Sequence, residues 1–191
     1  MNPRHTHLNR VGGFTLIETI IVVALVSVLM LAIIELFINF NNSYALQNAN
    51  INNSYSASAF LNETEELSLQ ADAIVSSKVV SGTTYTTDTS TLILELPSID
   101  ASGDTISGVH DYAVIYLANS KAYRILQADV ASARRSGTKI LSDVVNSLTF
   151  TFNNVTPASA TKISIDVVTQ KQVKQKTLQT HLTQTVYLRN L

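Results

Sequence analysis

The stretch Gly12-Gly13-Phe14-Thr15-Leu16-Ile17-Glu18, with the apolar run that carries on to Ile34, governs how the other residues are read. Phe14 to Ile34 is 21 residues long and is interrupted by a single charge, Glu18, and by the hydroxyls of Thr15, Thr19 and Ser27. At about 1.5 Å per residue a helix of that length is roughly 30 Å long, enough to cross the hydrocarbon core of a bilayer. A carboxylate just inside such a segment is costly unless it has a function or a partner. The glycine pair in front of it has no side chains, so its backbone can lie extended in a cleft without steric penalty.

Working outward, Met1 to Gly13 carries Arg4, His5, His7 and Arg10 and no apolar run of its own. Positive charge before the span, with none close after it, predicts a cytoplasmic leader and a C-terminal remainder outside. An ordinary secretory signal has its small-residue cleavage site after the apolar region. Here the small residues come first, and Ala57-Ser58-Ala59 lies too far downstream. A plain signal anchor accounts for the span and its orientation but leaves Gly12-Gly13 and Glu18 unexplained.

The stretch resembles the class III signal of type IV pilins and pseudopilins, in which a prepilin peptidase cuts before the apolar segment and the new N-terminus is methylated. On that resemblance Gly13 matches the glycine before the cut and Phe14 the residue that becomes the methylated terminus. Glu18 matches the acid five residues into the mature chain. The resemblance covers about thirty residues and implies that Glu18 pairs with the N-terminal amine of a neighbouring subunit during filament growth. Physical chemistry gives Glu18 a favourable place too, because a carboxylate in the first helical turn is stabilised by the helix dipole. The ending Val186-Tyr187-Leu188-Arg189-Asn190-Leu191 is similar to that of larger minor pilins and J-type pseudopilins. The implied partners are the prepilin peptidase, other pilin or pseudopilin subunits, the inner-membrane assembly platform and membrane lipid.

Composition narrows the alternatives. The 191 residues include 13 Lys and Arg and 14 Asp and Glu, a formal net charge of −1, which gives no electrostatic case for nucleic acid. There is no cysteine, so neither a disulfide nor a thiolate site can form. The expected organisation is a leader at residues 1–13, a membrane or filament-core helix at 14–38, an amphipathic outer half of the helix at 39–80, and an antiparallel head at 81–191. No Pro or Gly falls between Phe14 and Lys78, which predicts one long, unkinked helix to about Lys78. Glu35 is expected to mark the outer membrane surface. Phe37, Phe40, Tyr44, Ile51, Tyr55, Ala59, Leu61, Leu69 and Ala73 recur at helical spacing and predict a stripe packed on the head. Glu63, Glu65 and Glu66 are expected to form a solvated acidic patch.

Beyond Ser81-Gly82 the apolar period becomes two. Strands are predicted at residues 91–96, halted by Pro97, and at 112–118 and 121–127, the last two joined by Asn119-Ser120 as a hairpin. Ala128 to Leu141 is expected to be a loop with a short helix. Leu148, Phe150 and Phe152, then Ile163, Ile165 and Val167, then Leu178, Leu182, Val186 and Leu188 each fall on one side of a strand. The fold class is therefore α+β, with a long N-terminal helix covering one face of an antiparallel sheet.

No catalytic set is expected. His110 and His181 are isolated, the latter on the polar face of its strand. Asp100-Ala101-Ser102-Gly103-Asp104, with Asp111 nearby, is a weak cation-loop candidate that lacks the ligand spacing and final glutamate of an EF-hand; a surface turn explains it equally. No cofactor or metal is expected. Arg134, Arg135 and Lys139 could touch DNA phosphates, but three basic residues in a net acidic domain make a poor nucleic-acid surface. The functional expectation is a minor pilin or pseudopilin, and the alternative is a pilus-borne adhesin or a DNA-uptake subunit.

Overall fold

The computed structural model describes residues 13–188, so the leader up to Gly12 and the terminal Arg189, Asn190 and Leu191 lie outside the described residues. The chain forms two compact units, residues 1–45 and residues 46–191.

The described part of the first unit belongs to α1 (Leu16–Gln70), a 55-residue helix whose later turns belong to the second unit. Every side chain from Leu16 to Asn41 is exposed. The two hydroxyls inside the span are satisfied by the helix itself: Thr19 Oγ1 donates to the Thr15 carbonyl (3.2 Å) and Ser27 Oγ to the Val23 carbonyl (2.8 Å). Such back-bonding lets a polar side chain enter an apolar surrounding without an orphaned group.

The second unit adds ten strands in three antiparallel sheets: β1 (Ala73–Ile74), β2 (Ser77–Val80), β3 (Thr83–Thr86), β4 (Thr91–Ile99), β5 (Thr105–Ala118), β6 (Lys121–Gln127), β7 (Gly137–Ser142), β8 (Val145–Phe152), β9 (Lys162–Val173) and β10 (Lys176–Tyr187). A five-stranded sheet has the order β1-β4-β5-β6-β7, a three-stranded sheet has the order β10-β9-β8, and β2 and β3 form a separate hairpin. The helical face of this unit and both larger sheets share one core, in which Phe60, Leu94, Ile115, Phe150 and Ile165 are fully buried. The expected α+β arrangement of a long helix and antiparallel sheet is the one observed.

Five details depart from expectation. The helix stops at Gln70 instead of about Lys78. From Asp72 the chain is taken up by the sheet: the Asp72 amide donates to the Glu95 carbonyl (2.8 Å) and the Val75 amide to the Ile93 carbonyl (3.0 Å). The β-branched residues Ile74, Val75, Val79 and Val80 favour that extended path, and Ser81-Gly82, both at positive φ, closes the β2–β3 hairpin as a tight turn.

The expected apolar stripe is only partly the buried one: Leu61 is buried and Leu69 packs against the core, but the earlier members of the stripe are not. Ile51 and Tyr55 are 66% and 75% exposed, whereas the face on the sheets is Ala49, Asn53, Ala57, Phe60, Leu61, Thr64, Leu67 and Ser68. The Thr169 hydroxyl reaches the helix backbone, donating to the Asn53 carbonyl at 3.1 Å. So close an approach selects small side chains over large ones.

The five-stranded sheet is covered on both faces. Val80 from the β2–β3 hairpin packs with Ile93, Val114 and Ile125 on the face away from the helix. The run Leu92-Ile93-Leu94 is accordingly buried without alternation. Residues 137–142 form β7 and not a short helix, paired with β6 from Ala122↔Ser142 to Leu126↔Gly137.

Finally, β4 continues through Pro97 to Ile99. Pro97 can sit there because β1 pairs no further along β4 than Glu95, so no neighbour asks for the missing N–H. Asn119 and Ser120 do form the expected tight turn, both with positive φ (50° and 59°).

Candidate functional site

The N-terminal site is built by the first turn of α1. Thr15 precedes the first helical residue, and its backbone amide and its hydroxyl both donate to Glu18 Oε2 at 2.9 Å. In return the Glu18 amide donates to Thr15 Oγ1 at 3.3 Å. This is a capping box, in which the residue before the helix and the third residue within it satisfy one another's orphan donors. The Thr15-x-x-Glu18 spacing is the signal in the sequence that marks this box, beyond the charge of Glu18. Glu18 Oε1 accepts no hydrogen bond among the described residues. One carboxylate oxygen holds the cap while the other stays open for a charged donor.

Gly13 lies ahead of that cap. A Cβ built on it would meet nothing within 4 Å. Among the described residues nothing gives position 13 a steric need for glycine. Phe14 beside it is 82% exposed.

The three aspartates proposed as a weak cation loop are not brought together as ligands. Asp100 Oδ1 accepts the backbone amides of Ser102 (2.8 Å) and Asp104 (3.0 Å) and so organises its own turn. Asp111 is fully buried and saturated by donors. Its Oδ1 accepts from the Ser98 hydroxyl (2.7 Å) and the Asp129 amide (2.8 Å), and its Oδ2 from the Ser132 hydroxyl (2.8 Å) and Arg134 Nη1 (2.9 Å). Burial alone would raise the Asp111 carboxyl. The bonds from Ser98, the Asp129 amide, Arg134 and Ser132 outweigh it and hold the pKa below the ordinary carboxylate value. Arg134 also donates to the Pro97 carbonyl and, at 3.3 Å, to Gln70 Oε1. This arginine ties the loop after β6 to the open flank of β4 and to the last turn of α1. Among the described residues no group of three or more His, Asp or Glu is arranged to hold a metal ion.

The other charged candidates are also engaged. Glu63, expected in a solvated patch, faces the five-stranded sheet, bonded to Arg124 Nη1 (2.6 Å) and to Lys139. Glu65 accepts from Gln184 Nε2 (2.5 Å), which leaves Glu66 as the exposed member of the three. Arg134 and Lys139 thus serve internal partners. His110 Nδ1 lies 3.6 Å from Asp72 and 3.5 Å from Glu95, with no nucleophile in the group. His181 is exposed, as its strand position predicted, and contacts Asp166 at 2.7 Å. On the outer sheet face Tyr85, Tyr116 and Tyr123 lie in a row with ring centroids 5.4 and 5.3 Å apart, the first pair tilted at 45° and the second stacked. The stacked pair, Tyr116 and Tyr123, turn their faces to each other and cover the sheet.

The family described as the prokaryotic N-terminal methylation motif matches residues 8–34. No curated protein and no solved structure matches the chain. The matched segment contains Gly13, Phe14, the Thr15–Glu18 cap and the apolar turns that follow. The motif and the helix fit membrane anchoring and pilus assembly, and they indicate a structural subunit. Residues 8–34 thus carry the class III signal motif of type IV pilins, whose apolar part is the beginning of the long helix α1, and in this segment the chain is similar to type IV pilin-like proteins.

Proposed function

We propose that the protein is a minor pilin or pseudopilin, a subunit of a type IV pilus or of a type II secretion pseudopilus. In this reading it is inserted in the inner membrane with the leader in the cytoplasm. A prepilin peptidase cuts between Gly13 and Phe14, the new terminus is methylated, and the assembly platform moves the subunit into a filament of like helices. The observation that carries the reading is the matched segment at residues 8–34. Two further features support it. Among the described residues nothing in the packing asks for glycine at position 13, which fits a residue kept for the peptidase, as the resemblance implies. Apolar side chains also stay exposed around the helix from Leu16 to Phe40, as a segment does whose neighbours are lipid or other copies.

Glu18 has two roles in this account. Oε2 caps the helix through Thr15, and Oε1 receives the N-terminal amine of a neighbouring subunit, which sets the axial register. The charge and the cap can be separated. Glu18→Gln keeps an acceptor for Thr15 and removes the charge; Thr15→Ala weakens the cap and keeps the charge. Filament incorporation should fall at least tenfold in Glu18→Gln and stay within about threefold of the wild type in Thr15→Ala, since an unpaired charge in lipid costs more than a lost cap. Normal incorporation of Glu18→Gln would remove the pairing from the account. The alternative of a DNA-uptake subunit is less favoured, because Arg134 and Lys139 are already paired within the head.

A further inference from the structure

The apolar part of α1 carries a second charge, Glu35, and its own chain offers nothing to meet it. Between Gly13 and Glu63 the only acids are Glu18 and Glu35. Glu35 is exposed, and its carboxylate takes part in no ion pair or hydrogen bond among the described residues. The residues one turn to either side of it, Leu31, Ala32, Ile38 and Asn39, include no base. Leu36, Phe37, Ile38 and Phe40 follow it and are exposed as well, so Glu35 stands within an outward-facing apolar surface.

In the anchored subunit that carboxylate has water and headgroups to meet it, because about 30 Å of helix separates it from Phe14 and brings it to the outer membrane surface. A filament of like helices surrounds it differently. Lipid and water give way to the apolar faces of neighbours, and a carboxylate packed among them is costly unless a cation pairs with it.

Cations are scarce along this helix. No Lys, Arg or His occurs from Phe14 to Ser77. Once the leader is removed, the one positive group ahead of Lys78 is the new amine of Phe14. A methylated amine is a secondary ammonium with two N–H donors, and Glu18 Oε1 of one neighbour uses only one of them. Glu18 and Glu35 are 17 residues apart, which separates them by about 25 Å along the helix and by about 100° around it. The two acids therefore face different neighbours.

We infer that Glu35 accepts the second N–H of the methylated N-terminal amine of a neighbouring subunit. Each amine is then held between Glu18 of one subunit and Glu35 of another, and the axial register is set by two neighbours instead of one. The subunit that supplies the amine to Glu35 is displaced by about 30 Å along the helix axis. The inference rests on the processing and pairing reading given above.

The test uses the full chain, co-expressed with a prepilin peptidase and the assembly platform. Glu35→Gln keeps the size and polarity of the side chain and removes its charge. Its incorporation into sheared filaments should fall at least about fivefold, while membrane insertion and leader removal match the wild type. Glu35→Lys, which sets a like charge against the amine, should fall at least as far. A photoreactive p-benzoylphenylalanine in place of Leu31, on the face of Glu35 and one turn nearer the N-terminus, should cross-link to the first residues of a neighbouring subunit, identified by mass spectrometry of the joined peptides. Wild-type incorporation of Glu35→Gln, or cross-links confined to later parts of the neighbour, overturns the inference and leaves the Glu18 pairing intact. A wild-type chain that keeps its leader has no free amine at Phe14 and overturns both.

Discussion

The two ends of α1 are one continuous helix built on opposite terms. From Leu16 to Phe40 the large apolar side chains are exposed around the helix, and no described contact within the chain explains them. From Ala49 to Ser68 the helix has a buried face, yet that face is made of Ala, Asn, Thr and Ser as much as of Phe and Leu. In the first region apolarity is turned outward, to lipid or to neighbours. In the second, size decides which side is buried, because the sheet approaches the helix backbone closely enough for Thr169 to bond the Asn53 carbonyl. Hydrophobic spacing reads the first region well and misleads in the second.

The largest effect expected from breaking this contrast is at the processing site. Gly13→Leu should abolish cleavage by a prepilin peptidase while leaving the helix and head unchanged, because open space surrounds position 13. Immunoblotting for the leader-bearing form beside circular dichroism checks both halves of that statement.

The two faces of the helix should differ next. Phe60 is fully buried, and Phe60→Ala should cost about 3–5 kcal/mol in denaturant unfolding of the head. Tyr55→Ala, one turn away on the exposed side, should change stability by less than about 0.5 kcal/mol. Comparable losses at both positions would mean that the stripe does pack on the head after all.

The Asp111–Arg134 pair sharpens the comparison within the head, where polar groups do the work that apolar contacts do elsewhere. Asp111→Ala leaves Arg134 without its carboxylate and should cost about 3 kcal/mol. The pair also carries a pH signature. The folded-state pKa of Asp111 is depressed, so its contribution is fully present above the unfolded value of about 4 and is lost as pH falls through the folded value. Unfolding curves at pH 7 and pH 3 should therefore lie further apart in the wild type than in Asp111→Asn. An equal shift in both proteins would remove Asp111 from the acid response.

What could be read from residues alone follows the same division. The signal motif at residues 8–34 and the long apolar helix were legible because each depends on local order along the chain. The strand at residues 163–167 was legible because alternation survives along it, and that at residues 121–127 because Asn119-Ser120 marks its turn. Three features depended on partners distant in sequence. The helix end at Gln70 is imposed by β4, the second cover over Leu92-Ile93-Leu94 comes from the β2–β3 hairpin, and the passage of β4 through Pro97 depends on how far β1 extends. Asp111 was mistaken for a weak cation ligand because its spacing to Asp104 is visible in the sequence, whereas Arg134, Ser98 and Ser132 meet it only in the fold. The capping box was legible and was missed.

The central claim is tested most directly by the mass of the mature protein. Co-expressed with a prepilin peptidase and analysed intact, the chain should lose residues 1–13 and begin at an N-methylated Phe14. A product that retains its leader, or one cut after the apolar helix, would contradict the account.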